Sequence, residues 1–337
     1  MTCEQNVDLT PFNTLALPGK ACRYQKIATL GQLTATSLVQ EKRFILGGGS
    51  NLVLTGDFDG LVLHMAIPGK RLLKEDSAAF YIEAGAGENW HDFVQWTVQQ
   101  GWPGLENLSL IPGTVGAAPI QNIGAYGREV GDYLQSVSAW DFKKQAFFSV
   151  DRNECRFAYR DSLFKQEGWH LTGQIAIASV IFRLPKAWVA NTRYADVTQE
   201  LALRNITTPS AQEIALAIMT IRQRKLPDPA HIPNCGSFFH NPVVTVEQAG
   251  QLKIACPALP QYPQPDGRVK LAAGWLIEQA GWKGKTLGPI GMYEKQALVL
   301  VNHGGATGAD VKRTMAAVQA DVFARFGVEL TPEPIFL

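Results

Sequence analysis

Two glycine-dense segments constrain this chain more than any other feature. The first glycine segment is Phe44–Asn51, and the second, about sixty residues later, is Ile111–Gly127. In each, apolar residues typical of a buried strand lead into small residues. Backbone that carries few side chains can bring several N–H groups close to one ligand, as a diphosphate requires. We therefore predict a nucleotide site at the two segments, whereas either segment alone is equally explained by tight turns.

The first glycine segment does not fit the two common nucleotide motifs. No Lys follows its glycines, as G-x-x-x-x-G-K-[ST] requires. Leu52 stands where the motif G-x-G-x-x-G needs its third glycine. The usual ATP and NAD sites are therefore disfavoured.

Charge and cysteine content limit the class of partner. A net charge of +1 gives no general attraction to nucleic acid or to anionic membranes. No apolar run is long enough to span a membrane, and the first eight residues lack the pattern of a signal peptide. The 5 cysteines form no C-x-x-C pair, which argues against a zinc site or a disulfide framework. We expect a cytoplasmic monomer that acts on a small molecule, with no metal, nucleic acid or membrane partner.

Cap residues and apolar periodicity predict the main elements. A helix begins after Thr29 with Gln32 at the capping-box position and with Leu30, Leu33 and Leu38 near one face. The predicted strands are 44–46, 61–63, 79–83, 136–140, 147–150 and 175–184. The other predicted helices contain 90–98, stopped at Gly101; 214–221, with a capping box of Ser210 and Glu213; 275–280; and 308–326, stopped at Gly327.

The 337 residues can hold two or three domains. A turn at Ile67–Lys70 and the break at Pro227–Pro229 suggest domains at residues 1–67, 68–228 and 229–337. Arg222 lies in the last turn of the helix before the second break. Its charge suits either the negative end of the helix dipole or a ligand, and the sequence leaves both open.

The chain resembles the UDP-N-acetylenolpyruvoylglucosamine reductase family from Asn13 to Pro334. The resemblance rests on motifs that are specific in their order: Leu46–Asn51, Gly85–His91, Gly104–Leu108, Ile111–Gly127, Cys155–Ser162, Lys225–Pro229, Gly236–Phe239 and Lys270–Trp275. It implies an α+β fold, with a two-domain FAD-binding part of the vanillyl-alcohol-oxidase type and a C-terminal α+β substrate-binding domain. The C-terminal tail is expected to return to the active site.

The resemblance implies that FAD and NADPH are the cofactors. The residues expected to bind the cofactor are Gly47, Gly48, Gly49, Ser50, Asn51, Ile111, Pro112, Gly113, Gly116, Ala117, Ala118, Gln121, Asn122, Gly124 and Arg222. Some relatives carry two serines where this chain has Gly116–Ala118, so we expect the contacts there to come from backbone N–H groups.

The implied reaction is the NADPH-dependent reduction of an enolpyruvyl UDP-sugar to UDP-N-acetylmuramate through FAD. By resemblance, Arg160 and Glu333 stabilise the enolate and Ser237 donates the proton. From the sequence alone Arg160 fits a surface ion pair with Asp161, Ser237 a turn residue and Glu333 an exposed carboxylate. Little chain follows Glu333, so we expect its tail to be held less firmly.

The resemblance also supplies the substrate residues. Asn191–Asp196 matches the Tyr loop of the longer family type, in which Tyr194 closes over the substrate. The expected substrate contacts are Tyr159, Tyr194, Lys225, Asn241, Tyr262, Lys270 and Gln296, and Lys225 is also expected to hold the NADPH phosphate. The 6 histidines do not have metal-ligand spacing, and we predict that none is catalytic.

Two other functions stay open at the level of sequence. One is an oxidase of the same flavin fold, although neither glycine segment contains the His or Cys that often tethers flavin in such enzymes. The other is a binding protein that retains the fold but does not turn over. The presence of Arg160, Ser237 and Glu333 together argues against it.

Overall fold

A computed structural model describes residues 3–36 and 42–337. The strands of these residues are β1 Glu4–Asp8, β2 Lys20–Ile27, β3 Arg43–Leu46, β4 Leu52–Val53, β5 Phe58–Met65, β6 Lys70–Glu75, β7 Ala79–Gly85, β8 Gly124–Ala125, β9 Arg128–Glu129, β10 Leu134–Asp141, β11 Ala146–Asp151, β12 Ile175–Pro185, β13 Asn234–Ser237, β14 Val243–Val244, β15 Gln261–Pro263, β16 Val269–Leu271, β17 Thr286–Leu287, β18 Ile290–Met292, β19 Val299–Asn302 and β20 Ile335–Phe336. Their helices are α1 Leu30–Ala35, α2 Trp90–Gln99, α3 Leu163–Gln166, α4 Trp169–Thr172, α5 Ala195–Leu203, α6 Ala211–Lys225, α7 Val246–Ala255, α8 Ala273–Gln279 and α9 Gly308–Phe326, with single 3₁₀ turns at Thr10–Phe12, Glu106–Leu108 and Val130–Asp132.

The chain divides into two compact units, which are built from interleaved segments. Unit 1 comprises Met1–Val7, Ala21–Gly49 and Phe58–Arg224, and unit 2 comprises Asp8–Lys20, Ser50–Asp57 and Lys225–Leu337. The first glycine segment therefore starts in unit 1 and ends in unit 2. The three domains expected from the sequence stay a prediction.

Unit 1 contains a four-stranded sheet in the order β1-β2-β5-β3 and a five-stranded sheet in the order β11-β10-β12-β7-β6. β2, β5 and β3 are parallel, whereas the neighbouring strands of the second sheet are antiparallel. β12 lies between two other strands, which explains its nearly continuous apolar run. β6 is an edge strand rich in Lys, Arg and Glu, and such charges discourage edge-to-edge association.

The core of unit 1 is built around α2. Trp90, Phe93 and Phe182 are fully buried, and the rings of Phe93 and Phe182 lie 5.0 Å apart. The side chain of Asn89 accepts a hydrogen bond from the Asp92 N–H and so caps the helix. This fixed helix start lies beside the second glycine segment, because the Trp90 N–H donates to the Gly113 carbonyl at 3.1 Å.

The predicted strands and helices are confirmed, with small differences in their bounds. The capping boxes at Thr29 and Ser210 are both formed. Of the apolar residues predicted near one face of α1, Leu33 is buried and Leu30 is 49% exposed. Leu38 lies outside the described residues. Each of the 5 cysteines is free, as predicted.

Unit 2 contains a four-stranded sheet in the order β13-β19-β18-β17 and a three-stranded sheet in the order β14-β16-β15. β4 and β20 pair in parallel, which brings the end of the chain to the residues that follow the first glycine segment. α9 begins with a capping box of Thr307 and Asp310 and ends at Gly327, whose backbone is left-handed. Within residues 3–36 and 42–337, no helix is both long and apolar enough to span a membrane.

Candidate active site

The two glycine segments pack against each other in unit 1. A Cβ atom on Gly48 would lie 2.9 Å from the Gly113 Cα atom, and one on Gly47 would lie 2.9 Å from the Thr114 Oγ1 atom. Real Cβ atoms do not approach other atoms so closely. Glycine is therefore required at Gly48, where the nearest atom is backbone, and a Cβ on Gly47 would force the Thr114 side chain to shift. The two segments form one bare-backbone surface.

These residues fit a flavin dinucleotide. The Thr114 hydroxyl is buried and has no hydrogen-bond partner in the structure, although it borders the bare backbone at Gly47. A buried polar atom without a partner costs free energy, so a polar ligand is expected there. Two observations support the fit of a flavin dinucleotide. They are the bare backbone at Gly47 and Gly48 and the Thr114 hydroxyl beside it.

The backbone N–H groups of Gly116, Ala117 and Ala118 already have protein partners. They donate to the carbonyls of Ala86, Thr114 and Thr114 respectively, at 2.9 to 3.2 Å. Each of the three N–H groups is therefore engaged within the protein, which leaves it less capacity to donate to a diphosphate. Their assignment to the cofactor surface stays a prediction, and their hydrogen bonds fold the segment into a compact turn against the end of β7.

Asn122 connects the second glycine segment to the turn that carries Arg160. Its Nδ2 atom donates to Glu129 Oε2 at 2.6 Å and to the Ala158 carbonyl at 3.0 Å, and its Oδ1 atom accepts from the Gly131 N–H. The side chain is 1% exposed and its backbone is left-handed, with φ of 46°. Because its amide is engaged within the protein, a contact with the cofactor would have to come from its backbone.

Arg160 lies on a tight turn that directs it to the second glycine segment. Ala158 and Asp161 exchange two backbone hydrogen bonds of 3.1 Å around the turn, and Arg160 itself has a left-handed backbone with φ of 55°. Such a conformation is costly for a residue with a side chain and is often found at functional sites. The Arg160 guanidinium donates to the Gly124 carbonyl at 2.9 Å, and it lies 5.5 Å from the Tyr159 ring.

Asp161 does not rely on Arg160 for its hydrogen bonds. Its carboxylate accepts from the Ser162 N–H at 2.9 Å and from Gln166 Nε2 at 2.9 Å. The surface ion pair that the sequence alone favoured therefore does not explain the position of the arginine.

Arg222, Tyr126 and Tyr194 form a polar and aromatic group in unit 1. The Arg222 side chain forms a hydrogen bond with Tyr126, and its buried Nε atom has no partner in the structure. The Tyr126 and Tyr194 rings meet edge to face at 5.6 Å. Burial lowers the pKa of Arg222 and raises the pKa of Tyr126. Both alternatives for Arg222, a ligand contact and capping of the dipole of α6, stay predictions.

In unit 2, Ser237 and Glu333 lie on adjacent segments. Ser237 ends β13 and pairs with Val299. The next residue along the chain, Phe238, donates to the Leu298 carbonyl and accepts from the Glu333 N–H at 2.9 Å. Phe238 and Phe239 are 0% and 1% exposed, so a buried aromatic pair backs both residues.

The tail that carries Glu333 is firmly held, which corrects our expectation. The Ile335 N–H donates to the Asn51 carbonyl at 3.0 Å, and the Asn51 side chain donates to the Glu333 carbonyl at 3.3 Å. The Thr55 N–H donates to the carbonyl of the last residue, Leu337. These hydrogen bonds hold the tail in place although few residues follow Glu333.

The predicted substrate residues of unit 2 gather around the start of α8. Tyr262 and Lys270 are directly opposite each other on β15 and β16, so their side chains share a face of the sheet. Asn241 Oδ1 accepts from the Ala273 N–H at 2.9 Å. Gln296 lies close to Gly274 of α8, since a Cβ atom on Gly274 would be 3.1 Å from the Gln296 Oε1 atom.

The predicted site residues are distributed over both units. In unit 1 the second glycine segment, with Ile111, Pro112, Gly113 and Gln121, lies beside Gly47 and Gly48, and Asn122 and Gly124 connect it to the turn of Tyr159 and Arg160. Unit 2 contains Ser50 and Asn51 as well as Ser237, Glu333 and the four substrate residues around α8, and Lys225, the last residue of α6, begins its C-terminal segment. Their roles stay predictions. Among the described residues, no group of three or more His, Cys, Asp or Glu could hold a metal ion.

Sequence analysis missed two polar residues of the site. Thr114 stands inside the second glycine segment, and its hydroxyl between small residues was the available signal. His240 Nδ1 lies 3.7 Å from Glu333 Oε2. No local pattern reveals that contact, because the two residues are far apart in the sequence.

Comparison with known proteins gives the family. Residues 228–337 match the family model of the UDP-N-acetylenolpyruvoylglucosamine reductase C-terminal domain, and residues 39–143 match an FAD-binding domain model. These two matches confirm the predicted α+β class, with an FAD-binding part and a C-terminal domain.

Full-length relatives lead to the same family. The chain is 76% identical to UDP-N-acetylenolpyruvoylglucosamine reductase of Dechloromonas aromatica over 100% of both chains, and 56% identical to that of Azoarcus sp. over 98% of this chain and 97% of the relative. The crystal structure of the Thermus caldophilus reductase shares the fold, with a TM-score of 0.67 at 22% identity over 100% of this chain and 99% of the other. The chain therefore belongs to the UDP-N-acetylenolpyruvoylglucosamine reductase family and is an FAD-dependent NADPH oxidoreductase.

Proposed function

We propose that the chain reduces the enolpyruvyl ether of UDP-N-acetylglucosamine to UDP-N-acetylmuramate, a precursor of peptidoglycan, with NADPH as the reductant. The observation that carries the proposal is the position of Arg160, whose guanidinium is held against the second glycine segment. A guanidinium there can meet the carboxylate of the substrate in bidentate geometry. The free cysteines support a reducing, cytoplasmic location.

The residues of the chain have separate tasks in this reaction. Bound FAD supplies a hydride to the terminal vinyl carbon of the substrate. Negative charge then develops on the adjacent carbon and spreads into the carboxylate, where Arg160 stabilises it. Ser237 gives a proton to that carbon, which completes the addition of two hydrogens across the double bond.

Glu333 is proposed to act with Arg160 on the enolate, as a proton-bearing or hydrogen-bonding partner. Its N–H is bonded to the carbonyl of Phe238, the residue after Ser237, so the two residues have a fixed backbone relation. The side chain of Glu333 is 9% exposed, and the buried Phe238 and Phe239 keep water from the segment on that side. A serine hydroxyl is a weak acid, so its placement beside other polar groups is what makes donation feasible.

Two ligands are proposed to use the site in turn. Lys225 would hold the phosphates of NADPH, which would supply the reducing hydride when bound, and in its turn the phosphates of the sugar nucleotide. The nucleotide part of the substrate is proposed to contact Tyr262, Lys270, Asn241 and Gln296, with Tyr159 and Tyr194 near the reacting end. The arrangement of Tyr262 opposite Lys270 supports a common ligand for these two side chains.

An anaerobic titration tests the proposed function. NADPH added to the yellow holoprotein should bleach the flavin absorbance, and the enolpyruvyl sugar added afterwards should restore it with formation of UDP-N-acetylmuramate. Protein that binds no flavin, or reduced flavin that only air reoxidises, would contradict the proposal. The second result would favour an oxidase.

The role of Ser237 has its own test. Ser237→Ala should be reduced by NADPH at the normal rate but should lose most reduction of the sugar, because only the second step needs the proton. Ser77→Ala, which changes an exposed serine between β6 and β7, is the matched control. Equal loss of both half-reactions in Ser237→Ala would show that the serine is not the proton donor.

A further inference from the structure

A fully buried carboxylate holds the loop that carries Tyr194. This loop, residues 186–194, connects β12 to α5 and is called the Tyr194 loop. Glu106 is 0% exposed, and its Oε1 atom accepts a hydrogen bond from Trp188 Nε1 at 2.8 Å. Its Oε2 atom accepts from the Gly104 N–H at 2.6 Å. One oxygen of Glu106 thus secures its own turn, and the other secures the loop.

A second set of contacts joins the same turn to the loop three residues later. Asn107 Nδ2 donates to the Asn191 carbonyl at 3.0 Å and to the Tyr126 carbonyl at 3.1 Å. Asn191 Nδ2 in turn donates to the Gly127 carbonyl at 2.9 Å. Asn107 and Asn191 are both buried. The loop is therefore bonded to the 3₁₀ turn and also to the end of the second glycine segment.

A glutamate is rarely buried completely, because the charged form loses its hydration. Burial raises the pKa of Glu106, against the hydrogen bonds from Gly104 and Trp188 and the charge of Arg128. A turn that needed only local stability could be closed without such a group. The hydrogen bond from Trp188 to the Oε1 atom of Glu106 indicates that the carboxylate holds the loop in place.

We propose that Glu106 and Asn107 are positioning residues for Tyr194. They fix the Tyr194 loop at Trp188 and Asn191, so that movement over a bound sugar nucleotide is confined to residues 192–194. Tyr194 is 50% exposed and packs edge to face against Tyr126, so half of its side chain is accessible to a ligand. The inference rests on the proposed function, in which Tyr194 contacts the sugar nucleotide.

Two variants and a control separate loop fixation from general packing. Trp188→Phe keeps an aromatic ring but removes the N–H that Glu106 accepts. Glu106→Gln keeps the size of the side chain, but its amide can accept only one of the two hydrogen bonds. Val189→Ala changes a loop residue that is 75% exposed and serves as the control. All are made in the full-length holoprotein.

The first readout does not depend on activity. Arg193 is exposed on the Tyr194 loop, so trypsin cleavage after Arg193 reports how often the loop opens. We expect cleavage to be about tenfold faster in Trp188→Phe and in Glu106→Gln than in Val189→Ala, because a tenfold change corresponds to about 1.4 kcal/mol, the range of one hydrogen bond to a charged group. Cleavage at the control rate in both variants would show that Glu106 does not fix the Tyr194 loop.

The second readout tests the consequence for the substrate. Flavin is first reduced chemically, and its reoxidation by increasing concentrations of the enolpyruvyl sugar gives an apparent affinity and a limiting rate. We expect a five- to tenfold weaker affinity in both variants with a nearly unchanged limiting rate, since the loop binds the sugar nucleotide and Arg160, Ser237 and Glu333 lie elsewhere in the chain. Faster cleavage with unchanged affinity would show that fixing the loop does not position Tyr194 for the sugar nucleotide.

Failure of the proposed function gives a different result. If the sugar does not reoxidise the reduced flavin even in the wild-type protein, the proposed substrate is wrong. The cleavage rates then still decide whether Glu106 fixes the Tyr194 loop. If Trp188→Phe does not fold, Glu106→Gln carries both readouts, because it leaves the aromatic packing of Trp188 in place.

Discussion

His240 Nδ1 lies 3.7 Å from Glu333 Oε2, and the two side chains are only 20% and 9% exposed. Two backbone contacts fix this relationship, because the His240 N–H donates to the Thr331 carbonyl and the Glu333 N–H to the Phe238 carbonyl, both at 2.9 Å. When the imidazole carries a proton, it stabilises the charge of the largely buried carboxylate beside it. His240 thus lies beside the carboxyl group that is proposed to help stabilise the enolate.

We predict that His240→Gln slows reduction of the sugar by about tenfold and leaves reduction of flavin by NADPH unchanged. The loss of the imidazole leaves Glu333 with less compensation in a buried place, and about 1.4 kcal/mol at the transition state is a factor of ten. Stopped-flow measurement of the two half-reactions separates the effects. His231→Gln is the control, since His231 is 81% exposed and lies 3.4 Å from Asp228 on the surface. Equal rates in the two variants would show that His240 does not act on Glu333.

The local signals of the sequence predicted the elements of unit 1 well. The capping box of Ser210 and Glu213 fixed the start of α6, and the apolar run of β12 follows from its central place in the sheet. The glycine segments are also local signals, because their backbone approach requires residues without a Cβ.

Pairings between distant residues could not be predicted in this way. The strands β4 and β20 have two residues each, too few for a periodic pattern, and their pairing joins residues that are about 280 positions apart. Glu106 reads as a surface residue because glutamates are seldom buried, and only the tertiary contact with Trp188 explains its position. The expectation of a loosely held tail failed because the hydrogen-bond partners of the tail, Asn51, Val53 and Thr55, are distant from it in the sequence.

The close approach of the glycine segments predicts the effect of one methyl group. Gly48→Ala places a Cβ 2.9 Å from the Gly113 Cα atom, which is backbone and cannot rotate away. We expect the segments to separate at a cost of about 1–3 kcal/mol and the protein to lose most of its flavin. The ratio of flavin to protein absorbance after purification measures the loss. Gly56→Ala, where a Cβ meets nothing within 4 Å, should keep the wild-type ratio. Full flavin content in Gly48→Ala would mean that the cofactor does not use this surface.

Thiol reactivity tests the burial of the strand that ends at Ser237. Burial raises the pKa of the Cys155 thiol to about 12, and burial followed by the charge of Glu333 raises the pKa of Cys235. Since the thiolate is the nucleophile, neither thiol should react with iodoacetamide in the native protein, even at mildly alkaline pH. Cys3 and Cys22 are exposed and should be labelled first. Peptide mass spectrometry with and without denaturant gives the pattern. Labelling of Cys235 at the rate of Cys22 would show that β13 opens readily.

Two glycines of unit 2 should respond to the same substitution in opposite ways. Gly250 lies inside α7 and Gly281 follows α8, and a Cβ at either position meets nothing within 4 Å. Gly250→Ala should raise the melting temperature, because alanine is favoured over glycine in a helix by about 0.5–1 kcal/mol. Gly281 has φ of 80°, so Gly281→Ala should lower the melting temperature through about 1–2 kcal/mol of backbone strain.

Calorimetry of the two holoproteins under the same conditions measures both shifts, which we expect to be about 1–3 °C each and of opposite sign. Because neither substitution creates a contact, the difference isolates backbone conformation from packing. A loss of stability in Gly250→Ala would place that residue outside a regular helix. An increase in Gly281→Ala would show that α8 is not followed by a left-handed residue.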